Sequence, residues 1–144
     1  RHIGNMEYDA YAAADLAPRE AAALPWVSYD ESMTQLPQAK WMQQVAMRES
    51  NLRKDDEEER LAPIAFNDPE GICEAVRLGL GKSLLPVALV KGDKSFRRLK
   101  NNDWPAMPSR EIWLLTHPDQ RRLARIEAVI DWLDATMKQR GMAA

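Results

Sequence analysis

Cysteine, histidine and long apolar runs are scarce in this sequence, and each scarcity excludes something. Cys73 is the single cysteine, which rules out an internal disulfide and fits a reducing compartment. The two histidines, His2 and His117, lie far from each other and from Cys73, so neither a metal site nor any cofactor is expected. No apolar run approaches the roughly 20 residues of a membrane span, and no membrane partner is expected. Charge of one sign is not in excess either. A net charge of −2 argues against this chain gripping nucleic acid by itself, because phosphate contacts need a basic face. Serine, histidine and aspartate occur, but not in a nucleophile elbow such as Gly-x-Ser-x-Gly, so no catalytic set is expected. The opening Arg1-His2-Ile3-Gly4 lacks the apolar core of a signal peptide. With no initiator methionine, the chain reads as a piece of a longer protein.

What is present is enough for one ordinary domain: 144 residues, 45% apolar and 29% charged. Its organising stretch runs from Pro63 to Pro86. Pro63–Phe66 is a short apolar run. Asn67-Asp68-Pro69 then opens a helix, with Asp68 a good N-cap and Pro69 suited to the first helical position. Ile72, Ala75, Val76 and Leu78 are expected on its buried face, and Gly79 where the chain turns left-handed. Ser83–Leu85 is the next strand. The unit is βαβ, so its two strands should be parallel. Gly79-Leu80-Gly81 closes a helix, whereas a dinucleotide fingerprint opens one. The Asn67-Asp68 loop lies where open α/β sheets bind ligands, at a strand's carboxyl end.

Around this unit, strands are expected at Glu7–Ala13, Trp26–Tyr29, Ser95–Leu99 and Glu111–Thr116. The apolar centre of Glu111–Thr116 suggests burial on both faces. Helices are expected at Pro18–Leu24, Leu36–Arg48, Pro86–Val90 and from about Asp119 to Arg140. The last carries Leu123, Ile126, Val129, Ile130, Leu133 and Met137 at helical spacing. It should therefore pack on something sizeable, at about 1.5–3 kcal/mol per buried side chain. Asp55-Asp56-Glu57-Glu58-Glu59 reads as a solvated segment or mobile loop, since it lacks the spaced ligands and glycine of a calcium loop. The alternation of strands and helices makes the fold class α/β.

Ile72-Cys-Glu-Ala-Val-Arg-Leu-Gly-Leu-Gly-Lys-Ser-Leu-Leu-Pro86 resembles the effector-binding (substrate-binding) domain of LysR-type transcriptional regulators. That family has an apolar helix, then Gly-x-Gly, a few small or apolar residues and a proline. Arg1–Ala13, Leu24–Tyr29 and Ile112–His117 with the following helix agree with it in order and spacing. The resemblance implies a periplasmic-binding-protein-like (type 2) domain, one lobe complete and the other partial. It implies that residues 27–112 form the second lobe, and residues 1–26 with 113–144 part of the first. The winged helix-turn-helix would lie outside this chain.

The implied function is sensing of a small-molecule effector in an interlobe cleft, coupled to DNA binding by the separate N-terminal domain, in a cytoplasmic bacterial regulator. A homo-oligomer, dimer or tetramer, is implied as well. A solute-binding protein or an enzyme on the same bilobal fold is the alternative. The resemblance sets Leu24–Tyr29 as the crossover strand, so Ser28 and Tyr29 become effector-binding candidates, competing with plain roles as a turn residue and a half-buried aromatic. Asn67 is the leading candidate, because an amide both donates and accepts; it competes with a local turn role. Glu70, Cys73, Glu74 and Arg77, expected on the exposed side of the central helix, are candidates for an oligomer interface, against a merely solvated face; Cys73, next to the apolar face, also reads as a small core-edge residue, since nothing cationic nearby in sequence would activate it.

Overall fold

A computed structural model describes residues 1–52 and 60–143. The acidic run Asp55–Glu59 lies outside the described residues. The chain divides into two compact units: Tyr8–Pro108, and a smaller one of Arg1–Glu7 with Ser109–Ala144. One strand, β1 (His2–Ala13), continues from the smaller unit into the larger.

In the larger unit β1 is followed by α1 (Pro18–Ala23), β2 (Trp26–Tyr29), α2 (Pro37–Leu52), β3 (Leu61–Phe66), α3 (Pro69–Arg77), β4 (Ser83–Pro86), α4 (Val87–Val90) and β5 (Phe96–Arg98). Three prolines open three of these helices, where a missing N–H removes no helical bond. β3 runs parallel to β2. A parallel bridge from Trp26 to Lys82 joins β2 to the residue just before β4. β4 and β5 then flank β1, both antiparallel. Read across, the order is β3, β2, β4, β1, β5.

The two strands of the βαβ stretch are thus parallel as expected, but they are not neighbours. β2 lies between them, and the Ser83 hydroxyl donates to the Val27 carbonyl at 2.7 Å across that join. β3 takes the edge, which accommodates Pro63. β2 lies wholly inside the larger unit, and β1 has residues in both units. The core gathers Trp26, Val27, Met42, Val45, Ile72, Val76, Leu84 and Leu85, contributed by α2, α3 and the central strands.

α3 departs from expectation on one point. Leu78 is 72% exposed, whereas Cys73 is only 6% exposed. At about 100° per residue, Leu78 points far from Ile72 and Val76, while Cys73 lies near the edge of their face. The helix stops as expected. Gly79 has φ +76°, its N–H donates to the Val76 carbonyl and the Leu80 N–H to the Ala75 carbonyl, both at 3.0 Å. That is the Schellman arrangement, in which a left-handed residue satisfies the last carbonyls.

In the smaller unit, β6 (Ser109–Trp113) pairs antiparallel with the first half of β1. A 3-10 turn at Pro118–Gln120 precedes α5 (Ala124–Arg140). α5 thus starts later than the apolar spacing suggested, because Pro118 and the turn occupy the first residues. Burial on both faces of Glu111–Thr116 is not found. β6 is half-exposed to exposed throughout, and beyond it Leu115 is 85% exposed. β6 has a partner strand, but among the described residues of its unit no second layer covers it. On α5, Met137 is buried and Ile126, Ile130 and Leu133 are half-buried, while Val129 and the preceding Leu123 are exposed.

Candidate functional site

The parallel pairing of β2 and β3 brings the sequence-predicted effector residues to one edge. Ser28 stands opposite Ala65 and Tyr29 opposite Phe66. One residue on, the Asp30 N–H donates to the Phe66 carbonyl at 2.9 Å, holding the two strand ends level. Asn67 follows Phe66 directly, so Ser28, Tyr29 and Asn67 share the carboxyl edge of the pair. Asn67 is exposed, Ser28 half-buried and Tyr29 buried. Among the described residues the Asn67 amide and the Ser28 hydroxyl have no hydrogen-bond partner.

Local chemistry explains why the chain turns here. The Asp68 carboxylate accepts the Gly71 N–H at 2.6 Å, which is the N-cap of α3. A Cβ on Gly71 would lie 2.5 Å from the Phe66 ring, so glycine lets the first turn of α3 sit against the end of β3. Across the edge, Asp30 caps a 3-10 turn, Glu31–Met33, by accepting the Ser32 N–H at 3.0 Å. The edge is polar, offering a neutral amide and hydroxyls between two capping carboxylates.

The expected interface residues form a different cluster. Arg77 donates to Glu74 at 3.1 Å and to Asp93 at 2.8 Å, and its guanidinium lies 4.9 Å from the centre of the Phe96 ring. Hydrogen bonds from the Ser95 hydroxyl and N–H, with Arg77 beside them, hold the Asp93 carboxyl down to about 2. Glu70 and Glu74 are exposed as expected. Cys73 is not on the solvent side. Burial raises its thiol pKa, against a smaller lowering by Arg77. The residue is a packed thiol in its reduced form.

One constellation was not visible in the sequence. Trp26, Trp41 and Trp104 meet edge to face, with ring centroids 5.4 to 5.6 Å apart. Glu49 accepts the Trp26 indole N–H at 3.1 Å and the Trp104 indole N–H at 3.3 Å. Lys82 reaches the same carboxylate at 3.2 Å, donates to the Ala22 carbonyl at 2.7 Å and lies 4.7 Å from the Trp26 ring centre. The clues in the sequence were five tryptophans and a glutamate four residues after Val45 on the buried side of α2. The partners are separated by tens of residues, so no local pattern pairs them.

Residues 1–138 match the LysR substrate binding domain family, and the chain belongs to that family. It is similar to the effector domain of the transcriptional regulator AmpR of Pseudomonas aeruginosa, at 18% identity over 98% of this chain and 66% of that one, with TM-score 0.57. It is also similar to full-length LysG from Corynebacterium glutamicum, at 21% identity over 91% of this chain and 45% of that one, with TM-score 0.49. ArgP from Mycobacterium tuberculosis gives 21% identity, 93% and 46% coverage, and TM-score 0.46. No curated protein matches. The AmpR likeness carries the fold assignment: periplasmic-binding-protein-like, type 2, one lobe complete and one partial. The chain spans about two thirds of the AmpR domain and under half of the other two chains. The protein is an effector-binding domain of a LysR-family bacterial regulator, and as such is not an enzyme. Among the described residues no helix is long and apolar enough to cross a membrane.

Proposed function

We propose that this domain binds a small-molecule effector at the carboxyl edge of β2 and β3, in a cleft between two lobes, and couples its occupancy to DNA binding by a separate N-terminal domain. The observation that carries the reading is the meeting of Ser28, Tyr29 and Asn67 at one edge, with the Asn67 amide unpartnered among the described residues. Asn67 would donate to and accept from the effector, and Ser28 and Tyr29 would contribute hydroxyls. The capping carboxylate of Asp68 occupies the helix start where an anionic group would dock. The effector therefore meets Asn67 first, with any carboxylate it carries held away from Asp68.

The lobes would be residues 27–112 and residues 1–26 with 113–144, and the compact unit Tyr8–Pro108 covers most of the first of these. The regulator would act in the cytoplasm as a dimer or tetramer. Its pairing surface would draw on Glu70, Glu74 and Arg77 of α3 with the packed Cys73 beneath them. Signalling is a population shift, in which the effector binds one arrangement of the assembly better than the other.

A thermal-shift screen of small metabolites, followed by calorimetric titration of each hit, tests the site. Asn67→Ala should weaken the effector about tenfold or more, the size of one lost hydrogen bond in a desolvated site, with the unliganded melting temperature unchanged. Equal affinity in Asn67→Ala and in Ser28→Ala would remove this edge as the site. Loss of affinity in Asp68→Asn with none in Asn67→Ala would move it to the helix start.

A further inference from the structure

The larger unit holds a cavity of about 360 Å³ whose lining includes none of Ser28, Tyr29 and Asn67. Trp26 opens β2, while Ser28 and Tyr29 close it, and Trp26 is the residue bridged to Lys82. Lys82 lines this cavity together with Arg97, Arg98, Lys100, Glu49 and Trp104. Four cations therefore face one carboxylate.

The charges do not cancel. Glu49 is fully engaged by Lys82, Trp26 and Trp104, at 3.1 to 3.3 Å. Arg98 pairs with Asp9. Arg97 donates one guanidinium N–H to the Ala14 carbonyl at 3.0 Å. Its Nε is buried without a hydrogen-bond partner, a state that folded proteins seldom leave unfilled. Neither Arg97 nor Lys100 forms an ion pair among the described residues. Two uncompensated cations, one with a buried unused donor, thus share a cavity of metabolite size with an indole on its wall.

We propose that this cavity is a second ligand site, taking a small oxyanion such as a metabolite carboxylate or phosphate. Arg97, held in place through the Ala14 carbonyl, contributes its guanidinium charge and remaining N–H groups, and Lys100 adds a point charge. The Lys82–Glu49 pair fixes the floor, and Trp104 supplies a flat apolar wall. The site is independent of the effector reading, since it shares no residue with the β2–β3 edge.

Inorganic phosphate and succinate, each titrated at constant ionic strength set with sodium chloride, test it, and Trp104 in the wall makes tryptophan emission the readout. The expected result is a saturable change with at least one probe, and the responding probe identifies the headgroup. Arg97→Ala and Lys100→Ala should each weaken binding about tenfold, while Asn67→Ala leaves it unchanged. Arg97 also braces Ala14, so its variant is checked by thermal melting. Should it melt early, the exposed Lys100 decides. No saturable change with either probe up to about 10 mM, the weak end of specific binding, overturns the proposal. Equal affinity in Lys100→Ala and in a stably folded Arg97→Ala overturns it as well.

Discussion

The two compact units use the same kinds of element and end in opposite states. In the larger unit a tryptophan on a strand, Trp26, is 0% exposed, because α2, the next strand and two other indoles close over it. In the smaller unit a tryptophan on a helix, Trp132, is 63% exposed. α5 carries apolar residues at helical spacing, in a much weaker amphipathic pattern than α3, and it is properly closed by Gly141 at φ +70°. What differs is the second layer. A stripe of apolar residues creates a demand for cover, and within this chain the complete lobe meets it more fully than the partial one, where Ile126, Ile130 and Leu133 are half-buried. Secondary structure is thus a local property of each stretch, whereas burial belongs to the pair of surfaces.

Substitutions can break or sharpen this contrast. The largest effect is expected at Trp26. Trp26→Ala should lower the stability of the larger unit by about 4 kcal/mol, the usual scale for a buried tryptophan, in urea unfolding followed by circular dichroism. Trp132→Ala should change it by less than about 0.5 kcal/mol, as for an uncovered surface site. Comparable losses in both would mean that α5 is covered in solution.

Glu49→Ala comes next. It leaves the almost fully buried Lys82 without its carboxylate and two indoles without an acceptor. A loss of about 3 kcal/mol is expected for breaking such a pair from one side. Glu49→Gln, which keeps an acceptor for the indoles, should lose less in the same urea titration.

Asp93 provides a pH test. Its carboxyl is held to about 2, below the ordinary 3.8, by Ser95 and Arg77. The folded-state value is lowered, so this contribution is fully present above the ordinary carboxylate range. It fades as pH falls from about 4 towards 2. The wild type should be more stable than Asp93→Asn at neutral pH, and the gap should close across that window in melts at stepped pH. A gap unchanged down to pH 2 would show that the Asp93 charge is not what Arg77 and Ser95 stabilise.

The smallest effect is expected at Asp134, whose carboxylate takes both its contacts from Arg1 at 2.7 Å on the surface of the smaller unit. Asp134→Asn should shift stability by well under about 1 kcal/mol, and less still in high salt. A larger loss would mean the pair is shielded in solution.

Much of the candidate effector edge was legible beforehand. Asp68 as N-cap, Pro69 at the helix start and Gly79 as the stop are local rules, and they place Asn67 at a strand-to-helix turn. That Ser28 and Tyr29 lie near a ligand cleft is what the family resemblance implied, and the pairing of β2 with β3 sets them at the same strand edge as Asn67. β2 between β3 and β4, the tryptophan triad on Glu49 and the Arg97 cavity were not legible, since each joins residues whose separation in sequence carries no spacing signal.

The sequence by itself determined the order and approximate place of the helices and strands, though not every bound, because capping, proline placement and apolar periodicity act within a few residues. It also carried enough of the LysR pattern to indicate the family. Tertiary structure decided which strands are neighbours, that Leu78 faces outward, and that α2 and α3 are closed over more fully than α5. These outcomes depend on whether a second surface arrives to exclude water, and neither hydrophobic burial nor the pairing of a buried charge can be set by one stretch of chain alone.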